Sequence, residues 1–418
     1  MSVCLEKCGK EHTRTAVCEE ETMKNGWERE KILVFASREI CYMSSNFFAH
    51  QIGAAFEELG FVAEICELSK GDDLDEKLEP YIGGEYRLIL DFNSMLPRME
   101  TEDGVPYLDK LDGPFFDYIL DHPLFHYNGL TSAARNLHAI VLDEAQEQYV
   151  KQYYPGAASV HMLPLGATKA LYDGEKEPEC RILFPGTYDS PDSVYELVKA
   201  SPEPLAGVMK ALIERRLGEP LLPMEKAFRQ YLTEKGAELS AEQFALFMNS
   251  MYPVDAYVRD YFRKAALDEL LTEKLPVTVI GEGWEKYKGT DEGSLRRERA
   301  VPFALSFERI AKAHILLNVS PIFNRGMHDR IPAGMANHTV VLTDENPWLA
   351  KRFADGEEIA FYSLENLSTL GERAGRLLGD RAMRERIAER AYRTYETEHT
   401  WKCRAEEILK MADEVRQN

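Results

Sequence analysis

The chain is short of basic residues. Of its 418 residues, 50 are Lys or Arg against 71 Asp or Glu, giving a formal net charge of −21. That balance excludes a broad face for nucleic acid or anionic membrane, which needs a basic surface, but it leaves room for a small cationic pocket. No apolar run approaches the ~20 residues that span a bilayer. The stretch Met1-Ser2-Val3-Cys4-Leu5-Glu6-Lys7-Cys8 has no apolar signal core. The expectation is a cytoplasmic protein without a transmembrane segment. Cysteine is sparse and odd in number: Cys4, Cys8, Cys18, Cys41, Cys66, Cys180 and Cys403. Scattered in this way, they read as free thiols rather than a disulfide framework. Cys4, Cys8, His12 and Cys18 offer four zinc-type ligands, but their spacing fits no common zinc pattern. Residues 1–29 are therefore read as a flexible N-terminal extension, and no metal site is assigned. The sequence also lacks a GxGxxG fingerprint, a Walker loop, short repeats and low-complexity tracts. The surroundings of Ser320 form no nucleophile elbow.

What is present is a globular composition, 44% hydrophobic and 29% charged. The length exceeds one ordinary core, so two domains are expected. Buried-type strands are predicted at Lys31–Ala36, Phe61–Cys66, Tyr86–Asp91, Phe116–Leu120, His138–Asp143 and Val160–Pro164. A helix with apolar residues at Phe47, Phe48, Ile52, Ala55, Phe56 and Leu59 separates the first two. Strand, helix and strand in that order make a parallel βαβ unit. The six strands fill a first domain, 30–166, and the turn-rich residues 167–180 read as a linker. A second domain, 180–395, begins with Arg181–Tyr188 and continues through strands at Val277–Trp284, His314–Val319, Thr339–Leu342 and Glu358–Tyr362. A helical insert occupies 190–273, and a C-terminal helix occupies 396–418. The predicted fold class is α/β, with two tandem domains on parallel sheets.

The chemistry-bearing residues gather where strands end, which is where ligands bind in open α/β sheets. Gly186 with Thr187, and Gly281 with Gly283, follow two strands of the second domain. Without a Cβ the backbone there can approach a diphosphate closely; turn geometry alone would ask for the same residues. The segment Ser320-Pro321 through Gly326 to His328-Asp329-Arg330 is a cationic loop in an acidic chain. Arg330 can grip a phosphate with two parallel bonds and His328 can donate to one. A surface loop with an Asp329–Arg325 salt bridge is the alternative. Asp344, Glu345 and Asn346 are acceptors suited to hydroxyls, or a helix cap before Trp348. In the first domain, Asp121 and His122 stand at a strand end, candidates for removing a proton from an acceptor hydroxyl. Sequence neighbours on a strand point oppositely, which argues against a direct dyad, and Pro123 offers a purely structural turn. Asp91 and Asn93 are weaker candidates of the same type.

In this order the segments resemble a family. Val254–Arg263, Val279–Trp284, Asn318–Pro321 with Gly326, His328-Asp329-Arg330 and Met335-Ala336, Leu342–Leu349, His399-Thr400-Trp401, and the Phe116–Pro123 strand with its Asp-His-Pro end all match. They resemble the group 1 glycosyltransferases of the CgeB-like, spore-maturation type over roughly residues 80–415. The resemblance implies a GT-B fold, two facing Rossmann-like domains with the active site in the cleft. It implies a nucleoside-diphosphate sugar as co-substrate on the second domain and an acceptor on the first. The acceptor class, whether glycan, protein or small molecule, is open. The reaction would use no bound metal or other cofactor, because cationic side chains stabilise the leaving diphosphate. The donor-binding set is Gly186, Thr187, Gly281, Gly283, Ser320, Pro321, Gly326, His328, Arg330, Asp344, Glu345 and Asn346, with Asp121 and His122 as the catalytic candidates. One position departs: the ribose-holding glutamate common in such proteins is Ala333 here. The ribose contact then falls to another group, with Asp344 and Glu345 as candidates. Other activities compatible with the same reading are a sugar-nucleotide epimerase or hydrolase, and a non-catalytic sugar-nucleotide binding protein.

Overall fold

The computed structural model describes residues 30–37, 44–69, 71–101, 103–132, 134–171, 179–289 and 292–417. The segment 1–29, with Cys4, Cys8, His12 and Cys18, lies outside the described residues, as does Cys41. The first sheet comprises β1 Lys31–Ser37, β2 Val62–Leu68, β3 Leu88–Phe92, β4 Phe115–Tyr118, β5 Leu137–Val141 and β6 Ser159–Met162. Its order is β2-β1-β3-β4-β5-β6, and every pairing is parallel. The second sheet comprises β7 Cys180–Pro185, β8 Val277–Ile280, β9 Leu295–Glu298, β10 Ala313–Asn318, β11 Val340–Asp344 and β12 Ala360–Tyr362. Its order, β12-β11-β10-β7-β8-β9, is also parallel throughout and reverses direction between β7 and β10. The central strands are buried along their whole length, as β3, β5 and β11 show. Parallel strands covered on both faces need continuous apolar runs, and those runs made the strands legible in the sequence. Strand β9 was not expected. Its sequence Leu-Arg-Arg-Glu holds one apolar residue, because it is an edge strand paired only with β8, where backbone register rather than burial defines it.

Two segments cross between the domains. The helices Pro191–Ala200, Leu205–Gly218, Met224–Lys235, Ala241–Met248 and Tyr252–Thr272 lie between β7 and β8 in the chain. Yet Met224, Phe228 and Phe244 share a core with Leu137, Tyr149 and Tyr153 of the first domain. The rings of Tyr153 and Phe244 stack at 4.3 Å, and Arg229 Nε donates to the Tyr153 hydroxyl at 2.6 Å. The last of these helices returns to the second sheet, where Phe262, Leu267 and Leu270 pack with Ile182 and Val279. The C-terminal helix Trp401–Gln417 goes the other way, burying Trp401, Ala405, Ile408 and Ala412 against Ile32, Ile52 and Phe56. Each element settles where its apolar stripe finds cover, whatever its place in the chain. Among the described residues no helix is long and apolar enough to cross a membrane.

The strand exits of the two sheets face each other. Just past β5, the Asp143 carboxylate accepts from the Arg325 N–H at 2.6 Å, and Glu144 N–H donates to the Arg325 carbonyl at 3.1 Å. Asp143 forms a backbone bridge with Gly326, in the loop after β10. A Cβ on Gly326 would lie 2.7 Å from the Asp143 Cα, so only glycine lets the backbones meet there. That contact fixes one end of the cleft.

Candidate active site

On the second domain the site is built around the turn after β7. Gly186 has φ +135°, and a Cβ there would stand 2.9 Å from Arg330 Nη2. The backbone of Gly281 and Gly283, after β8, packs against Gly186 and Tyr188, and Trp284 Nε1 donates to the Gly186 carbonyl at 2.7 Å. Two guanidinium groups reach this turn, and the like charge of a third, Arg259, acts on both. Arg263 donates through Nη1 to the Thr187 carbonyl, and Arg330 Nη1 donates to Asn318 Oδ1 at 3.2 Å. Arg259, one helical turn before Arg263, stands 3.4 Å from Asp255. Burial, then the like charges of Arg259 and Arg330, bring the Arg263 guanidinium down to about 9; burial also lowers that of Arg330. Cations held together out of water are what an anionic ligand would relieve. Arg259 and Arg263 were not expected from the sequence. They lie on the Tyr252–Thr272 helix, far along the chain from Gly186, and the only signal was their inclusion in a family-like helix.

Apart from Arg330 itself, the loop after β10 supports this cluster rather than adding to it. His328 Nε2 lies 3.2 Å from Arg330 Nη1, and its Nδ1 is in close contact with the Asp329 carboxylate. Arginine only donates, so Nε2 accepts there, while Nδ1 faces both the Asp329 carboxylate and the Arg330 N–H, the latter at 3.2 Å. Burial, then the charge of Arg330, lowers the His328 pKa. Both ring nitrogens are thus engaged, and His328 steers Arg330 instead of reaching outward. Ser320 N–H donates to Asp344 Oδ1 at 2.8 Å, which spends that carboxylate inside; burial pushes its pKa up to about 6. The Pro321 carbonyl accepts from the buried Arg216 at 2.6 Å. Asn346 is also structural: its amide donates to the carbonyls of Phe323 and Gly326, and its oxygen caps the Pro347–Arg352 helix at Trp348 and Leu349. Gly326 belongs to the interdomain contact described above. Glu345 is exposed and lines a cavity of about 250 Å³ with Leu221, Ser363 and Glu365. Ala333 packs against Leu183 and Leu316 in the core and offers nothing to a ligand.

On the first domain the two candidate residues part company. Asp121 is exposed, and Asn93 Nδ2 donates to its Oδ2 at 3.1 Å. His122 is buried; its Nδ1 accepts from the Leu124 N–H at 3.1 Å, and its Nε2 lies 3.9 Å from Glu225 Oε2. Burial, then Arg216 and His126, push its pKa down to about 3, so it is a neutral cap of the Pro123–His126 turn and forms no dyad with Asp121. The same turn carries Phe125, whose ring meets Tyr252 at 5.5 Å. Tyr252 opens the helix that bears Arg259 and Arg263, so the Asp121 loop abuts the element carrying two of the three guanidiniums.

Residues 259–410 match the family model described as glycosyl transferase-like. No curated protein sequence matches the chain. Among solved structures, sucrose-phosphate synthase from Thermosynechococcus elongatus is similar at a TM-score of 0.52 and 12% identity, covering 93% of this chain and 99% of that one. An alpha-glucosyltransferase in complex with UDP-glucose and DNA containing an abasic site is similar at a TM-score of 0.53 and 11% identity, covering 92% and 99%. At such identities the likeness is one of fold, and it spans both domains. The chain is thus glycosyl transferase-like over residues 259–410 and has the GT-B fold of two facing parallel-sheet domains.

Proposed function

We propose that the protein is a hexosyltransferase of the CgeB-like branch, moving a sugar from a nucleoside diphosphate to an acceptor hydroxyl or amide without a bound metal. The observation that carries this reading is the convergence of Arg263 and Arg330 on the Gly186–Thr187 turn, with the like charge of Arg259 beside them. The diphosphate lies on that turn, where charge that develops on leaving meets preorganised guanidiniums in place of a cation. Glu345, rather than Ala333 or the internally bonded Asp344, takes the hydroxyls of the ribose. For a hydroxyl acceptor, Asp121 accepts the proton as the acceptor oxygen bonds to the anomeric carbon. The carbon–oxygen bond to the diphosphate breaks, and its electron pair stays on the diphosphate. Direct displacement of this kind inverts the anomeric configuration.

UDP-glucose, the ligand named for the similar alpha-glucosyltransferase, is the first donor to test. Thermal shift against a panel of nucleoside diphosphates and their sugars should show a rise of several degrees with one nucleotide class, since a ligand bound only by the folded state stabilises it. The same donor should leave the melting temperature of Arg330→Ala unmoved. A panel without any shift, or an equal shift in that variant, would sink the assignment.

A further inference from the structure

The helix that brings Arg259 and Arg263 to the Gly186 turn carries a tyrosine at its start. Tyr252, Arg259 and Arg263 are spaced i, i+7 and i+11, so they share one face of the Tyr252–Thr272 helix. Arg263 marks where that face points, since it donates to the Thr187 carbonyl. The tyrosine end of the same face meets the first domain. There the rings of Tyr252 and Phe125 stand 5.5 Å apart, inclined at 68°. The Tyr252 hydroxyl is hydrogen-bonded to Arg259. Arginine only donates, so the hydroxyl oxygen accepts. The ring is thus held at its tip by the second domain and at its side by the first. Even so, Tyr252 keeps 52% of its surface exposed. A tyrosine fixed in this way offers a large, flat, amphipathic surface at low entropic cost to a ligand.

We infer that Tyr252, with Phe125 beside it, is a stacking platform for a sugar ring of the acceptor, so that the acceptor is a glycoside or glycan. The inference rests on the transferase reading, which puts the acceptor on the first domain. A pyranose has a face of C–H groups and a rim of hydroxyls. The C–H face packs on the negative face of an aromatic ring, and the rim stays free for hydrogen bonds and for reaction. The helix rises ~1.5 Å per residue, which sets Tyr252 about 16 Å from Arg263 along its axis. That span takes a diphosphate at the Gly186 turn, the sugar of the donor and one further ring. The nucleoside end of the donor is assigned elsewhere, to Glu345 after β11, so the platform is not required for the base.

Leucine at this position keeps apolar bulk and removes the flat face, whereas phenylalanine keeps the face and removes the hydroxyl. With UDP-glucose as donor, cellobiose, lactose and maltose as acceptor probes and UDP release as readout, Tyr252→Leu should raise the acceptor KM about tenfold with the donor KM unchanged. Its Tm should stay within about 2 °C of wild type, because the side chain is mostly exposed. Tyr252→Phe should keep the acceptor KM within about twofold, since the ring face does the binding. The inference is overturned if Tyr252→Leu keeps the wild-type acceptor KM, or if it raises the donor KM instead, which would make the ring a platform for the base. It is also overturned if glycerol and a serine peptide, which hold no sugar ring, serve as well as the disaccharides. If UDP-glucose is not turned over at all, saturation-transfer NMR with the same disaccharides decides. Sugar signals that vanish in Tyr252→Leu would keep the platform and remove the transferase reading; no signal with the wild-type protein would overturn the platform.

Discussion

The exits of the two sheets share a topology and differ in charge. After β7 and β8 the loops carry glycine turns and draw in two guanidiniums, Arg263 and Arg330, with Arg259 acting on both. After β3 and β4 two buried carboxylates hold a strained turn, with Arg98 of the loop after β3 acting on Asp117, and a third carboxylate, Asp121, is exposed. The parallel sheet supplies the same feature twice, a crevice lined by strand ends. The residues placed there give the two crevices different charge, guanidiniums in one and carboxylates in the other. A chain with a formal net charge of −21 can thus still hold a local cationic cluster.

The largest expected effect tests the cationic half. Arg330→Ala should reduce transfer by about 10²–10³-fold or more, the scale of losing one preorganised charge contact at a developing anion. The fold should survive, because the variant relieves repulsion with Arg263; circular dichroism and steady-state rates check both statements. Next, Asp121→Asn should cut kcat by roughly 10²–10⁴-fold while leaving donor affinity by calorimetry intact, since it removes a proton acceptor and not a diphosphate contact. A loss of donor affinity there would erase the division of labour between the halves. Gly186→Ala should follow, weakening donor binding by about tenfold: its Cβ would displace Arg330 Nη2 and strain a φ of +135°.

The smallest effect concerns stability. Burial pushes Glu225 up to about 7, where it faces His122 across the seam between the insert and the first domain. A carboxyl whose folded pKa lies above its unfolded one stabilises fully at acid pH, and that contribution declines as pH rises through about 7. The melting temperature should therefore fall by about 2–4 °C between pH 6 and 8. Glu225→Gln should flatten that slope without moving kcat at neutral pH. An unchanged slope would place the proton elsewhere, with Asp91 and Asp117 the next groups to test.

The strands, the two-domain order and the glycine turns were legible because parallel strands buried on both faces need unbroken apolar runs that end at polar turns. Gly186, Gly281, Gly283 and Arg330 were singled out that way, and so were Asn346 and His328, whose contacts the sequence could not give. A cap and a steering contact use the same side chains as a ligand site, and only distances separate them. Arg259 and Arg263 escaped because a helix shows its charged residues alike whether they face solvent or a cleft.

The sequence by itself determined most of the strands, where they exit, and that acid outweighs base over the chain as a whole. These are local properties, set by side-chain periodicity and turn chemistry. Tertiary structure alone decided that the insert helices cover the first domain, that two arginines from a distant helix complete the cluster at Gly186, and that Asp121 faces out while His122 turns in. Those outcomes depend on which apolar faces meet and how closely charges are forced together, and neither is written in the order of residues along the chain.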